Sequence, residues 1–129
     1  MLDHQLTLAV LGDTLAICRL PNDAPLPDWA LRGEFFAITR TPDELSIVCR
    51  QSLVPESVKC ESDWRGLKVV GTLDFSLTGI LASLAVPLAE ANISIFAIST
   101  YDTDYLLVKE TNLENAIAVL TAAGHRITR

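Results

Sequence analysis

A chain of 129 residues suits one compact unit or two very small ones, and because half of the residues are apolar, we expect a packed core rather than disorder. The net charge of −6, with ten scattered basic residues, argues against a surface that binds nucleic acid or an anionic membrane. The sequence begins without the basic segment of a signal peptide and contains no apolar run of about 18 residues, the length that a membrane helix needs. We therefore expect a cytoplasmic protein.

The first half of the chain predicts strands joined by segments with little helix. Residues 6–20 predict two strands that meet at Gly12, since a glycine followed by an aspartate favours a turn. The proline-rich stretch 21–33 allows at most one helical turn. Residues 35–50 predict a strand, a short polar turn and a strand, and residues 52–67 predict a stub of helix followed by a strand.

A strand and a helix open the second half of the chain. Residues 68–75 predict the strand, and residues 77–92 predict the helix because apolar side chains recur every four positions. Thr78 is the predicted N-cap, and Asn92 suits the left-handed residue that ends a helix. Pro87 is expected to kink this helix or to restart it.

A hairpin, a second helix and a short strand complete the second half. Residues 93–110 predict the hairpin, and the helix that follows is expected to start at Asn112 as N-cap and to end at Gly124. Residues 125–128 predict the last strand. The order strand, helix, strand, strand, helix, strand predicts a split ferredoxin-like unit with two helices on one face of its sheet.

The two hairpins form an internal repeat. When the chain is shifted by 60 positions, the FAIT that begins at Phe36 falls on the FAIS that begins at Phe96. In this alignment Asp102 takes the place of Pro42, so the two turns differ in chemistry although the strands around them agree.

The repeat predicts two domains with a boundary near residues 64–66. Residues 1–64 are interpreted as a degenerate copy with shortened helices, and residues 65–129 as the intact copy. Neither half is large enough to bury a stable hydrophobic core alone, so we expect the two to pack as one body. The predicted fold class is α+β.

No residue set in the sequence points to a metal or a cofactor. His4 and His125 lie near opposite ends of the chain and are expected to be solvated, and Cys18, Cys49 and Cys60 lack the paired spacing of a zinc site. We interpret the cysteines as buried or half-buried thiols in a reducing compartment.

Two loops of the second half predict a binding site. The loop before the first helix offers backbone N–H groups at a helix start for a carboxylate, and the hairpin turn offers hydroxyl, aromatic and acidic side chains for an ammonium group. Each loop also has a purely structural interpretation, as a helix cap and as a solvated turn. The predicted ligand-binding residues are Leu77, Thr78, Gly79, Ser99, Thr100, Tyr101, Asp102 and Asp104.

The stretches GILASLAVPLAEANI and ISTYDTDYLLV resemble an ACT domain of the aspartate-kinase-like type, and the chain is similar to the tandem-ACT proteins related to the CASTOR arginine sensors. The resemblance is strong over residues 65–129 and weaker over residues 1–64. It implies two ferredoxin-like ACT domains packed together, the first with degenerate helices. Because this chain has two ACT-like halves where the sensors have four, the resemblance also implies a homodimer.

The resemblance implies a ligand held between two domains of the second type by the two loops named above, with Asp104 facing the cationic end of the ligand. Leu77 stands where the arginine sensors are expected to have an acidic residue, so an amino acid is implied but not arginine in particular. The leading hypothesis is a non-catalytic, homodimeric sensor of a small molecule. The alternatives are an ACT-fold interaction module without a ligand and a small enzyme that uses Asp102 and Asp104.

Overall fold

The computed structural model describes residues 5–74 and 76–129. The strands and helices of these residues are β1 Thr7–Leu20, β2 Ala37–Arg40, β3 Leu45–Arg50, β4 Cys60–Val69, α1 Ile80–Glu90, β5 Phe96–Ser99, β6 Asp104–Lys109, α2 Leu113–Ala122 and β7 Arg126–Thr128. Single 3-10 turns lie at Asp28–Leu31, Gln51–Leu53 and Glu110–Asn112. No helix in the described ranges is long and apolar enough to cross a membrane. The predictions for His4 and for residue 75 fall outside these ranges.

The chain divides into two compact units. The smaller unit is Asp13–Trp64, and the larger unit consists of Arg65–Arg129 together with the chain up to Gly12. The division between the units therefore falls after Trp64, and residues up to Gly12 belong to the larger unit, while the two ACT-like domains at residues 1–64 and 65–129 stay a prediction. The predicted turn at Gly12 is wrong, because β1 runs through this residue as one strand of 14 residues.

The sheet of the larger unit contains the N-terminal part of β1, a strand that the sequence did not predict for it. The strand order in this unit is β7-β1-β4-β6-β5, and β1 pairs in parallel with β7 from Thr7↔Arg126 to Ala9↔Thr128. From β4 to β7 the elements follow the predicted order of strand, helix, strand, strand, helix, strand. However, β4 covers Cys60–Val69 and overlaps the predicted strand at residues 68–75 by only two residues. Residues 70–74 form no strand, so that prediction is wrong there.

One apolar core holds the larger unit together, and strands and helices both contribute to it. Burial of a large aliphatic side chain stabilises a fold by about 1.5–3 kcal/mol, so this cluster positions both helices against the sheet. Its buried residues are Leu8, Leu67, Val69, Leu84, Leu88, Ile93, Leu106, Val108, Leu113, Ala116 and Leu120.

The two helices begin differently from the prediction. Helix α1 starts at Ile80, and the residue before it is Gly79 with φ of 77°, which glycine adopts without strain. The cap position is therefore Gly79, and the prediction of Thr78 as N-cap is wrong. Asn112 does precede α2 as predicted, but its side chain makes no capping hydrogen bond.

Both helices end as predicted. Asn92 has φ of 61°, and the N–H of Ile93 donates to the carbonyl of Leu88 at 2.9 Å. Gly124 has φ of 102°, and the N–H of the next residue donates to the carbonyl of Leu120 at 3.0 Å. These are the bonds of a Schellman motif, in which a left-handed residue closes the last turn.

His125 is buried between β1 and α1, so the expectation that it is solvated is wrong. It is only 4% exposed, and its Nδ1 accepts the N–H of Leu6 at 3.1 Å. Nε2 therefore carries the proton and donates to the carbonyl of Ser83 at 3.0 Å. That carbonyl lacks its usual helical donor because the residue four positions on is Pro87, which has no N–H. The histidine thus explains how α1 continues through Pro87 rather than restarting.

The smaller unit contains four strands and almost no helix. Its strand order is β2-β3-β1-β4, and single 3-10 turns at Asp28–Leu31 and Gln51–Leu53 take the positions where helices would connect the strands. The pairing of β1 with β3 extends from Leu15↔Arg50 to Leu20↔Leu45. Its core consists of Ala16, Cys18, Ala30, Leu45, Ile47 and Cys49.

The two hairpins correspond with an offset of 59 rather than 60. The last pair before the turn is Arg40↔Leu45 in the first hairpin and Ser99↔Asp104 in the second, so four residues form each connection. Tyr101 is therefore the counterpart of Pro42, whereas the sequence alignment paired that proline with Asp102. The alignment of FAIT with FAIS is therefore shifted by one position from the structural correspondence. The turn, and not the strand sequence, sets the register of a hairpin.

A threonine at the first position of each connection shows the true correspondence. The Oγ1 of Thr41 accepts the N–H of Glu44, and the Oγ1 of Thr100 accepts the N–H of Thr103, both at 3.2 Å. The backbone N–H of each threonine in turn donates to the carbonyl of the fourth residue of its connection. The same local bonds therefore shape both turns.

Candidate functional site

A cavity of about 220 Å³ opens in the larger unit between the β5–β6 turn and the segment that leads into α1. Six of the eight predicted binding residues line it, and Thr78 and Gly79 do not. It is lined by Leu73, Asp74, Leu77, Ile80, Ser99, Thr100, Tyr101, Asp102, Thr103 and Asp104.

Thr103 holds the β5–β6 turn against the sheet. Its side chain is 4% exposed, and its Oγ1 donates to the carbonyl of Val69 at the end of β4, at 2.7 Å. Its carbonyl accepts the N–H of Thr100 at 2.8 Å. The sequence did not predict a role for this residue, because no local pattern distinguishes a threonine that will be buried at a turn from a solvated one.

A backbone bond connects the two walls of the cavity. The N–H of Leu73 donates to the carbonyl of Asp102 at 2.6 Å. The segment after β4 is therefore tied to the tip of the hairpin, and both walls belong to one local structure.

Among the described residues, three carboxylates line the cavity and no basic side chain does. Asp74 accepts the N–H and the Oγ of Ser76, both at 2.8 Å, and these two bonds lower the pKa of its carboxyl. Asp104 accepts the Oγ of Ser99 at 2.6 Å, so its carboxylate is oriented by a neighbour on β5. The wall is therefore electronegative and favours a cationic group. Asp74 is an addition to the predicted site, and the Asp-x-Ser spacing, typical of a side chain that bonds the backbone two residues on, is the signal for it.

Apolar and hydroxyl side chains form the rest of the wall. Tyr101 is 80% exposed at the tip of the turn, and Leu77 is 46% exposed in the facing segment. Ile80, the first residue of α1, also lines the cavity, so the amino-terminal end of this helix lies at its edge. A helix start carries partial positive charge, which suits the carboxylate of a ligand.

No histidine or cysteine within residues 5–74 and 76–129 lines the cavity. In the described part of the chain, no group of three or more His, Cys, Asp and Glu side chains is arranged to hold a metal ion. The chemistry that this lining offers is the binding of a small polar molecule with a positive group.

Comparisons with known proteins agree with this architecture. An ACT-domain family model matches residues 59–122, and a model of an N-terminal domain matches residues 13–57, within the smaller unit. The chain belongs to the ACT-domain family.

Among curated proteins, the chain is similar to two human proteins. It is 36% identical to the putative protein CASTOR3P over 95 residues, which cover 64% of this chain and 58% of that protein. It is 31% identical to the cytosolic arginine sensor for mTORC1 subunit 1 of Homo sapiens over 100 residues, which cover 69% of this chain and 30% of the sensor. The chain thus spans less than two thirds of the length of either relative.

Among solved structures, a crystal structure of a protein from Agobacterium tumefaciens superposes with a TM-score of 0.92 at 40% identity, covering 96% of this chain and 92% of that one. The ligand-free regulatory subunit of aspartate kinase from Thermus thermophilus superposes with a TM-score of 0.63 at 14% identity, covering 93% and 99%. The second likeness shows the fold alone, with mixed helix and antiparallel sheet.

Proposed function

We propose that this protein is a non-catalytic regulatory protein of the cytoplasm that binds a small molecule with an ammonium group, namely an amino acid, in the cavity of the larger unit. The observation that carries the proposal is the lining, in which the described residues provide three carboxylates and apolar side chains but no basic side chain. The relative named a cytosolic arginine sensor supports the same class of ligand.

Each wall has a part in this proposal. Asp104, at the start of β6 and oriented by Ser99, accepts the positive group of the ligand. The amino-terminal end of α1 faces the ligand carboxylate. Tyr101 and Leu77 cover the aliphatic part, and their present exposure leaves apolar area that a ligand would bury.

We also propose that both units are ferredoxin-like ACT domains and that the first has degenerate helices. The strand order β2-β3-β1-β4 in residues 13–64 supports this, since it is the order of a split βαββαβ sheet. The two 3-10 turns stand where its helices would be. In this assignment the first domain comprises residues 13–64, and the part of β1 up to Gly12 belongs to the second.

A homodimer is part of the proposal. In the larger unit, Leu77, Leu81, Val86 and Tyr101 are large apolar side chains that remain exposed, and a second copy of the chain would cover such a surface. Sedimentation equilibrium at micromolar concentration is expected to give twice the chain mass of 14.1 kDa. A mass equal to a single chain would overturn this part of the proposal.

Binding is tested by measuring thermal unfolding in the presence of each of the twenty amino acids. A ligand at 100 times its dissociation constant is expected to stabilise the protein by about 2.7 kcal/mol. A screen in which no amino acid raises the unfolding temperature would contradict the sensor and favour the interaction module without a ligand.

With the best ligand from that screen, Asp104→Asn is expected to weaken binding by about 1.5–3 kcal/mol, or roughly ten- to hundredfold, because it removes the charge and keeps the shape. Isothermal calorimetry measures the two affinities. Asp43→Asn is the matched control, since it makes the same change in the turn of the other hairpin. Equal affinities for the wild type and Asp104→Asn would return Asp104 to the role of a solvated turn residue.

A further inference from the structure

The three cysteines of the chain come together in the smaller unit. Cys18 lies on β1, and Cys49 lies on the neighbouring strand β3, where the residue opposite Cys18 is Ile47. Cys60 opens β4, the neighbour of β1 on its other side. Cys18 therefore occupies the central strand between the two other thiols.

The accessibility of the three thiols differs. Cys18 is 2% exposed and Cys49 is fully buried, whereas Cys60 is exposed. Interactions with both Cys49 and Cys60 raise the pKa of the Cys18 thiol, and that with Cys49 is the stronger. A solvent-borne reagent can reach Cys60 directly, and Cys18 is the buried thiol beneath it.

The strand pairing favours Cys60 over Cys49 as the partner of Cys18. The N–H of Arg19 donates to the carbonyl of Lys59 at 3.0 Å, and in antiparallel strands this bond makes Cys18 and Cys60 the next facing pair. Facing residues have Cβ atoms about 4.5–5.5 Å apart, close to the roughly 3.5–4.5 Å of a disulfide. Cys49 lies opposite Ala16 and is therefore a diagonal neighbour of Cys18, and the Cβ atoms of diagonal pairs lie farther apart than those of facing pairs.

Cys18 remains a thiol until its partner is oxidised. The hydrogen bond with Cys49 and then burial raise the pKa of Cys18, so this group is protonated at neutral pH. The exposed Cys60 is therefore the thiol that an oxidant reaches first, and a cysteine sulfur reacts as the thiolate.

We propose that Cys60 and Cys18 are a peroxide-oxidised thiol pair that closes to an intramolecular disulfide between β4 and β1. In the first step the Cys60 sulfur attacks hydrogen peroxide, an S–O bond forms, the O–O bond breaks, and one water leaves. In the second step the Cys18 sulfur attacks the Cys60 sulfur, the S–S bond forms and the S–O bond breaks. The hydroxide leaves with the Cys18 proton as a second water. Two thiols lose two electrons, and one peroxide is reduced to two waters.

The test is peroxide treatment of the full chain, followed by thiol counting under denaturing conditions and by peptide mapping. The wild type is expected to fall from its three thiols to one, with a Cys18–Cys60 linkage that a dithiol reductant reverses. Cys49→Ser is expected to fall from two thiols to none, and Cys60→Ser is expected to keep both of its thiols. Since Trp29 and Trp64 both lie in the smaller unit, the disulfide is also expected to raise its unfolding midpoint as followed by tryptophan fluorescence.

Several outcomes would overturn the proposal. These are a Cys18–Cys49 linkage, a Cys60 that stops at sulfinic or sulfonic acid in the wild type, and disulfides that form only between chains. Because Cys60 is exposed, Cys60→Ser is expected to fold normally, and its circular dichroism spectrum is compared with that of the wild type.

Discussion

Replacing His125 by phenylalanine is expected to lower the free energy of unfolding of the larger unit by about 2–4 kcal/mol, because it leaves one buried and one partly buried backbone group without partners. These are the N–H of Leu6 and the carbonyl of Ser83, which the two ring nitrogens now satisfy. Phenylalanine keeps the ring volume, so the loss reports on the hydrogen bonds rather than on a cavity. Urea unfolding followed by far-ultraviolet circular dichroism measures it, since α1 and α2 both lie in the larger unit.

Pro87 provides the control for this mutation. Pro87→Ala supplies an N–H that can donate to the carbonyl of Ser83 within the helix, so His125→Phe should cost about 1 kcal/mol less in that background. A double-mutant cycle with the two single variants measures this coupling. Additive effects would show that the histidine does not compensate for the proline.

Thr103→Val is expected to destabilise the larger unit by about 1–3 kcal/mol, because the buried carbonyl of Val69 loses the Oγ1 donor and valine supplies none. The shape of the side chain is nearly unchanged. Since Thr103 also lines the cavity, we expect the ligand of the thermal screen to bind more weakly to this variant. Urea unfolding measures the first effect, and calorimetry measures the second.

Thr121→Val is the matched control for this variant. The Oγ1 of Thr121 donates to the carbonyl of Ile117, also at 2.7 Å, but on an exposed helix surface where water can replace it. We expect a change within about 0.5 kcal/mol there. Similar losses in the two variants would mean that the bond to Val69 does not hold the turn.

What the sequence by itself determined is local. The helix ends at Asn92 and Gly124 were predictable because the left-handed backbone and the closing hydrogen bonds involve residues of the same turn. The two hairpins, and the absence of full helices in residues 21–33, follow from turn residues and prolines in the same way. Six residues of the candidate site were foreseeable because they occupy two short polar segments beside apolar ones.

The tertiary structure alone decided what depends on contacts between distant parts of the chain. The burial of His125 depends on a contact with Leu6, which lies 119 positions away, and no local pattern reveals that contact. The N-terminal strand joins the larger unit by pairing with β7, at the opposite end of the chain. Thr103 is a structural residue of the site because the folded sheet brings its acceptor on β4 to it.

The hairpin register is a local feature that the sequence alignment nevertheless placed one position away. The hydrogen bonds in the turn outweigh the similarity of the strands.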